Sequence, residues 1–342
     1  MTDQNTLFHH SKQTAFSYLN TFRSLEALEL LTGLRETDRV SPEVMFAMAI
    51  GLVRLNRITE ADALITMLLE LYPGHPSATL FHDEVRQLVS SLRPVVLGSR
   101  FNYGHNFYGN VILTPRTLAH YASSPELWRD LLSFHHLLAT DTYTDYLDAF
   151  YRESFKRFGH HWFYLDIVNV LFAASNMLHP QTYLEIGVRR GRSLCTVVRG
   201  WSKVDIVGCD LWMENYAGME NPGPAFVRSE LEKHNHTGNI TLLTGDSHQI
   251  LPQYFQQNPH QRFDLVTVDG DHSETGAFAD LCVVIPYLAP GGIIVFDDIA
   301  HPAHPYLLDV WRRTMRQFPF LVSYEYTDCG YGVAFALHRG TC

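Results

Sequence analysis

Acidic residues gather where two apolar runs end. Val268-Asp269-Gly270-Asp271-His272-Ser273 follows one short run, and Val295-Phe296-Asp297-Asp298-Ile299 closes another. If both runs are neighbouring parallel strands, about 4.8 Å apart, four carboxylates crowd one pocket mouth. Such crowding is costly unless something positive is bound there. A divalent cation would meet that need, and an all-oxygen donor set favours Mg²⁺, Mn²⁺ or Ca²⁺ over zinc. The competing reading of Asp271-His272 is a turn that caps the next helix, and that of Asp298 is a cap or a salt bridge.

A second constellation lies upstream, in Tyr183-Leu184-Glu185-Ile186-Gly187-Val188-Arg189-Arg190-Gly191-Arg192-Ser193. A strand ends in an acid, and a glycine turn opens a helix. Gly187 and Gly191 let the backbone approach a ligand that a Cβ would obstruct. The helix starting near Gly191 aims free N–H groups at the same spot, which suits a carboxylate, and Ser193 adds a hydroxyl. A nicotinamide-binding turn needs GxGxxG, whereas this one is GxxxG. Glu185 would face a pyrophosphate unfavourably and would suit an ammonium group. Val207-Gly208-Cys209-Asp210 then ends in an acid about twenty residues on, placed for ribose hydroxyls. It indicates a nucleoside without choosing between cofactors. Leu243-Thr244-Gly245-Asp246-Ser247 closes a third strand, where Asp246 also reads as the N-cap of a helix over His248–Tyr254.

The elements that position these groups are legible in the hydrophobic pattern. Strands are expected at Thr182–Ile186, Asp205–Cys209, Ile240–Leu243, Leu265–Val268 and Ile293–Phe296, separated by helical stretches. Short apolar runs of this kind mark parallel strands buried on both faces. Leu321–Tyr326 and Gly332–Leu337 flank Asp328-Cys329-Gly330 and read as a closing antiparallel hairpin. In open parallel sheets ligands bind at the carboxyl ends of the strands, where all the acids above fall.

The EIGxxxGxS segment and this α/β order resemble class I S-adenosylmethionine-dependent methyltransferases. That resemblance implies a Rossmann-like, mostly parallel sheet with a C-terminal antiparallel hairpin, preceded here by an α-helical region. It implies S-adenosylmethionine as cofactor, contacted by Glu185, Gly187, Gly191, Ser193, Asp210, Asp246, Ser247 and Asp269, with Asp246 at the adenine amino group. VDGDHS, an APGG turn and the DD strand end further resemble the macrocin-type sugar O-methyltransferases, over roughly residues 180–315. By that resemblance Asp269, Asp297 and Asp298 hold Mg²⁺ and Asp271 is the general base. The acceptor it implies is a hydroxyl of a sugar, a glycosylated natural product or another polyhydroxylated small molecule. A metal-independent O- or N-methyltransferase with His272 as base stays open, as does a non-catalytic role for the chain. His301-Pro302-Ala303-His304-Pro305 matches nothing in the family pattern and reads as a substrate contact or a plain loop.

The rest of the 342-residue chain reads as two further regions, 1–92 and 93–178, ahead of the methyltransferase-like 179–342. Region 1–92 is helical. Gly51 and Ala63 are expected to let two helices approach across a turn at Arg57–Thr59, and the segment resembles a tetratricopeptide repeat. Such a unit would serve a protein partner or self-association. Arg93–Pro115, rich in Gly, Pro and the aromatics Phe101, Tyr103, Phe107 and Tyr108, reads as a linker loop. The helices that follow would pack on or cap the catalytic part.

With a net charge of −10 and no basic run, nucleic acid is not an expected partner. No apolar stretch approaches the ~20 residues of a membrane span. Five scattered cysteines (Cys195, Cys209, Cys282, Cys329, Cys342) without a signal segment suggest reduced thiols in a cytoplasm. The nineteen histidines lack the supporting ligands of a zinc site.

Overall fold

The computed structural model describes residues 2–20, 23–37, 41–55, 57–91, 98–102, 106–111, 113–215 and 218–339. They form two compact units, the first of the described residues up to 91 with Ile285–Tyr287, the second of the described residues from 98 onward without that segment.

The first unit is a run of helices, α1 (Thr2–Asn20), α2 (Ser24–Thr37), α3 (Pro42–Arg54), α4 (Ile58–Leu71) and α5 (Pro76–Ser91), each packed on the next. Pro42 occupies the first turn of α3, where its missing N–H costs nothing. Gly51 does permit close packing, but against α2 and α1. A Cβ there would lie 3.1 Å from Leu28 Cγ and 3.5 Å from Leu19 Cδ2. Ala63 faces solvent, whereas Ile58, Ala61, Leu64, Ile65 and Leu68 form the buried face of α4. The close approach expected of the Gly51/Ala63 pair is therefore not made, because the two residues lie on different faces.

The second unit opens with an antiparallel pair, β1 (Gly98–Asn102) and β2 (Asn106–Val111). The stretch expected as a linker loop is thus partly a hairpin. Phe101 in β1 and Phe107 and Tyr108 in β2 are residue types that favour strands. Tyr103 and Cys342 lie outside the described residues.

Three helices follow, α6 (Pro115–Ala122), α7 (Pro125–His135) and α8 (Thr142–Phe158). Thr114, Ser124 and Asp141 cap them through their side chains, and Asp141 forms a capping box with Thr144. Helix α9 (Ile167–Leu178) has buried residues all round, from Val168 to Ser175. That is the pattern of a core helix, and it packs against α6, α7 and the sheet.

The sheet runs β5-β4-β3-β6-β7-β9-β8. Its strands are β3 (Thr182–Ile186), β4 (Asp205–Asp210), β5 (Ile240–Thr244), β6 (Phe263–Val268), β7 (Leu288–Asp297), β8 (Leu321–Tyr326) and β9 (Val333–His338). Strands β3 to β7 are parallel, and β9 lies antiparallel between β7 and β8. Between them run α10 (Arg192–Gly200), α11 (Pro224–Lys233), α12 (Ser247–Gln257), α13 (Glu274–Val284) and α14 (Leu307–Gln317). This is the α/β architecture expected from the pattern. The APGG segment differs: it is an irregularity inside β7, where the register against β6 shifts. Gly291 takes a φ of +81° there, open to glycine at little cost.

The strand order reverses between β3 and β6, so their carboxyl ends open the crevice where open α/β sheets bind ligands. Cys195 and Cys209 are buried thiols, Cys329 is an exposed one, and the Cys282 thiol donates to Gln317 Oε1 at 3.6 Å. Among the described residues no helix is long and apolar enough to cross a membrane.

Candidate active site

The glycine turn is held by the strands around it. Gly187 has φ +87°, and a Cβ there would fall 1.8 Å from the Asp269 carbonyl oxygen. Its N–H donates to Cys209 O at 3.0 Å, while Asp269 N donates to Ile186 O at 2.9 Å. The ends of β3, β4 and β6 are thereby drawn together. Gly191, at φ +72°, starts α10, and a Cβ would lie 2.9 Å from Val227 Cγ1. Asp210 reaches over from β4. Its Oδ2 accepts the N–H groups of Val188 and Arg189, each at 2.8 Å, and its Oδ1 accepts Trp212 N at 2.5 Å.

Above the turn opens a cavity of about 290 Å³. Gly187, Ser193, Asp269, Asp297 and Asp298 line it, as expected of a ligand site at these strand ends. Glu185 does not line it. That side chain is fully buried beneath the turn. It accepts Ser193 Oγ at 2.5 Å and the Tyr183 hydroxyl, which also bonds Thr267 Oγ1 at 2.8 Å. Burial raises the Glu185 carboxyl to about 8, against the lowering effect of those two hydroxyls. Asp246 caps α12 through His248 N, at 3.0 Å, and Ser247 donates to Asp280 at 2.7 Å. Neither these two residues nor Asp210 is on the cavity wall.

The acids at the ends of β6 and β7 converge. His272 Nε2 lies 3.4 Å from Asp269 Oδ1 and 3.1 Å from Asp298 Oδ2. One ligand atom from each of Asp269, His272 and Asp298 can be chosen within 4.8 Å of the others. Burial pushes the Asp297 carboxyl well above the usual range, and the charges of Asp298 and Asp269 push the same way. Asp269 is raised by burial too, with His272 opposing it. Burial alone would lower His272, but the two carboxylates outweigh it and raise the imidazole to about 11. The histidine thus offsets only part of the cluster's negative charge. Asp298 adopts φ +62°, uncommon outside glycine and tolerated best by Asn and Asp.

Asp271 is not brought to this cluster. It is exposed, and its Oδ1 accepts Ser273 N at 2.7 Å as α13 begins. A Cβ on Gly276 would strike Asp271 Oδ2 at 1.9 Å, so the carboxylate lies over the helix start. The turn reading holds for Asp271, while its neighbour His272 turns inward. The HPAHP segment lies beside that ring: His304 stacks at 5.2 Å from His272 and 5.0 Å from His301, which meets Tyr331 at 4.2 Å.

Several residues of the site carry no sequence signal. The three arginines of the glycine turn each find a distant acid: Arg189 pairs with Asp141, Arg190 with Glu220, and Arg192 with Asp148 at 3.0 Å. They fasten the start of α8 over the turn. Tyr143 and Phe150 from α8, with Tyr164 and Asp166 ahead of α9, complete the cavity. With those arginines paired, the lining is acidic and aromatic, which suits a cationic ligand and opposes a pyrophosphate.

Residues 184–299 match a family model described as a methyltransferase domain. This segment, about a third of the chain, is similar to methyltransferase domains. The sheet order and the closing antiparallel strands are those expected from the resemblance of the sequence to class I S-adenosylmethionine-dependent enzymes. Among solved structures, a TDP-rhamnose 3′-O-methyltransferase of calicheamicin biosynthesis is similar over 62% of this chain and 93% of its own. The identity is 20% and the TM-score 0.41. The O-methyltransferase TomG of tomaymycin synthesis, from Streptomyces achromogenes, is similar over 63% of this chain and 99% of its own, at 19% identity and a TM-score of 0.40. An O-methyltransferase from Bacillus cereus gives 63% and 99%, with 16% identity and a TM-score of 0.38. No curated protein matches the chain in sequence. The matched stretch of the methyltransferase domain contains Glu185, the glycine turn and every acid of the cluster, but not Tyr143, Tyr164 or Asp166.

Proposed function

We propose that the domain methylates a hydroxyl of a sugar, a glycosylated natural product or another polyhydroxylated small molecule, with a divalent cation, Mg²⁺ foremost, held by Asp269, Asp297 and Asp298. The observation that carries this reading is that Asp269, Asp297 and Asp298 share one cavity wall, with His272 within ligand distance of Asp269 and Asp298. Like charges so placed favour a cation over an empty site.

S-adenosylmethionine supplies the electrophilic methyl group, and a divalent cation supplies Lewis acidity that makes an acceptor hydroxyl easier to deprotonate. The remaining work falls to side chains. Asp269 and Asp298 now hold His272 protonated through Nε2. Neutralising those carboxylates removes what raises the imidazole, so His272 becomes able to accept a proton near neutral pH. His272 thus takes the role of base that the motif alone gave to Asp271. Tyr143, Phe150 and Tyr164 line the cavity and give it an aromatic wall beside the acids.

The test is methyl transfer to a panel of polyhydroxylated glycosides after dialysis against a chelator. Turnover should vanish and return with Mg²⁺ or Mn²⁺. Undiminished turnover would refute the cation and leave a metal-independent O- or N-methyltransferase. We assign the helical unit, residues 1–92, to protein contact or self-association. Its deletion should change the assembly state, and an unchanged state rejects the assignment.

A further inference from the structure

The carboxylate that the first motif offers to the cofactor is closed off, and another one stands in the cavity. Glu185 has no exposed surface, and its oxygens are engaged by Ser193 and Tyr183. Asp166 lies on the cavity wall. Its Oδ2 accepts the Tyr151 hydroxyl at 2.8 Å and the Tyr164 hydroxyl at 3.1 Å. Asn169 Oδ1 accepts Asp166 N at 2.8 Å and fixes the backbone as α9 begins. The side chain is thus held in one orientation before any ligand arrives.

Its position is fixed relative to the glycine turn. Asp166 shares the cavity wall with Gly187, Arg192 and Ser193 of the turn and with Asp269 and Asp297 of the acid cluster. An α-amino acid carries its carboxylate and its ammonium on one carbon, so the sites for the two must be neighbours. The free N–H groups at the start of α10 suit the carboxylate. The ammonium then needs a nearby acid. Asp269 and Asp298 are engaged with His272 and Asp297 is assigned to the cation, which leaves Asp166. Phe150 and Tyr164 meet edge to face at 5.4 Å on the same wall, and aromatic surface of this kind also favours a cation.

We propose that Asp166, oriented by Tyr151 and Tyr164, is the ammonium-binding residue of the cofactor pocket, and that Glu185 is a buried support for Ser193. The assignment rests on reading this cavity as the S-adenosylmethionine pocket. It places a cofactor contact outside the matched methyltransferase segment, in the helical region ahead of the sheet.

The experiment is calorimetric binding of two ligands that differ by the amino-acid moiety. S-adenosylhomocysteine carries it, and 5′-methylthioadenosine does not. Asp166→Asn keeps the shape and remains a good N-cap. It should weaken S-adenosylhomocysteine roughly 10- to 100-fold, the worth of a hydrogen bond to a charged group, and leave 5′-methylthioadenosine unchanged. Glu185→Gln should leave both affinities unchanged. A selective loss of S-adenosylhomocysteine in Glu185→Gln, or equal loss of both ligands in Asp166→Asn, overturns the proposal. A wild-type protein that binds neither ligand overturns the cofactor reading itself.

Discussion

Replacing Glu185 by glutamine separates two accounts of the first motif by stability alone. The side chain is fully buried, and its carboxyl is raised from 4.5 to about 8, chiefly by burial. Its folded pKa lies above its unfolded value. The folded protein therefore keeps a proton that the unfolded chain gives up, and the stability linked to that proton is complete below about pH 4.5 and lost as the pH rises toward 8. At ~1.4 kcal/mol per pH unit, the interval from 4.5 to pH 7 costs the wild type about 3 kcal/mol, and the interval to pH 5 costs under ~1 kcal/mol. Glu185→Gln has no such proton. Its stability relative to wild type should therefore rise by roughly 2–3 kcal/mol between pH 5 and pH 7, whatever constant offset the amide introduces. Urea unfolding followed by tryptophan fluorescence at the two pH values reads the difference directly. A difference that stays flat with pH, or shrinks as pH rises, would show that Glu185 is ionised in the folded protein and refute the argument.

Three other perturbations follow from the same geometry. Gly187→Ala places a Cβ 1.8 Å from the Asp269 carbonyl oxygen at φ +87°, so it should cost at least about 3 kcal/mol and lower the melting temperature by at least ~6 °C. Gly218→Ala, at φ +78° with nothing within 4 Å, should cost only ~1 kcal/mol, and equal losses would argue against the close approach of the strand ends. His135 and His338, both buried, are lowered to about 4 chiefly by burial. Their contribution is present above 6.5 and lost as pH falls toward 4, so Glu185→Gln, free of the opposing titration, should lose stability through that window. A flat profile would count against buried neutral imidazoles. Asp297→Asn should weaken Mn²⁺ binding at least ~10-fold while sparing S-adenosylhomocysteine, and calorimetry showing equal loss of both would reject the division of roles.

The sheet was legible because its strands are short apolar runs closed by acids or glycines, and β3 to β7 carry their functional residues at those ends. What stayed hidden depends on direction and on distant partners. Asp271 and His272 are adjacent, and only the turn into α13 decides which one faces the cluster. Glu185 and Tyr183 are two residues apart on one strand face, so the tyrosine hydroxyl closes over the acid, a contact that no motif records. Arg189 and Arg192 find Asp141 and Asp148 more than forty residues away, and ordinary surface charges in a sequence look the same. Asp166 reads locally as a helix cap, which it also is. Ala63 shows the reverse error, where a small residue suggested packing and the helix turned it to solvent.

The central claim is that the carboxylates at the ends of β6 and β7 hold a cation beside the cofactor pocket. Anomalous diffraction from crystals grown with S-adenosylhomocysteine and Mn²⁺ tests it most directly. The account predicts one strong manganese peak within bonding distance of Asp269, Asp297 and Asp298, with S-adenosylhomocysteine in the cavity over Gly187. A bound cofactor with no peak there, or a peak held by other residues, would contradict it.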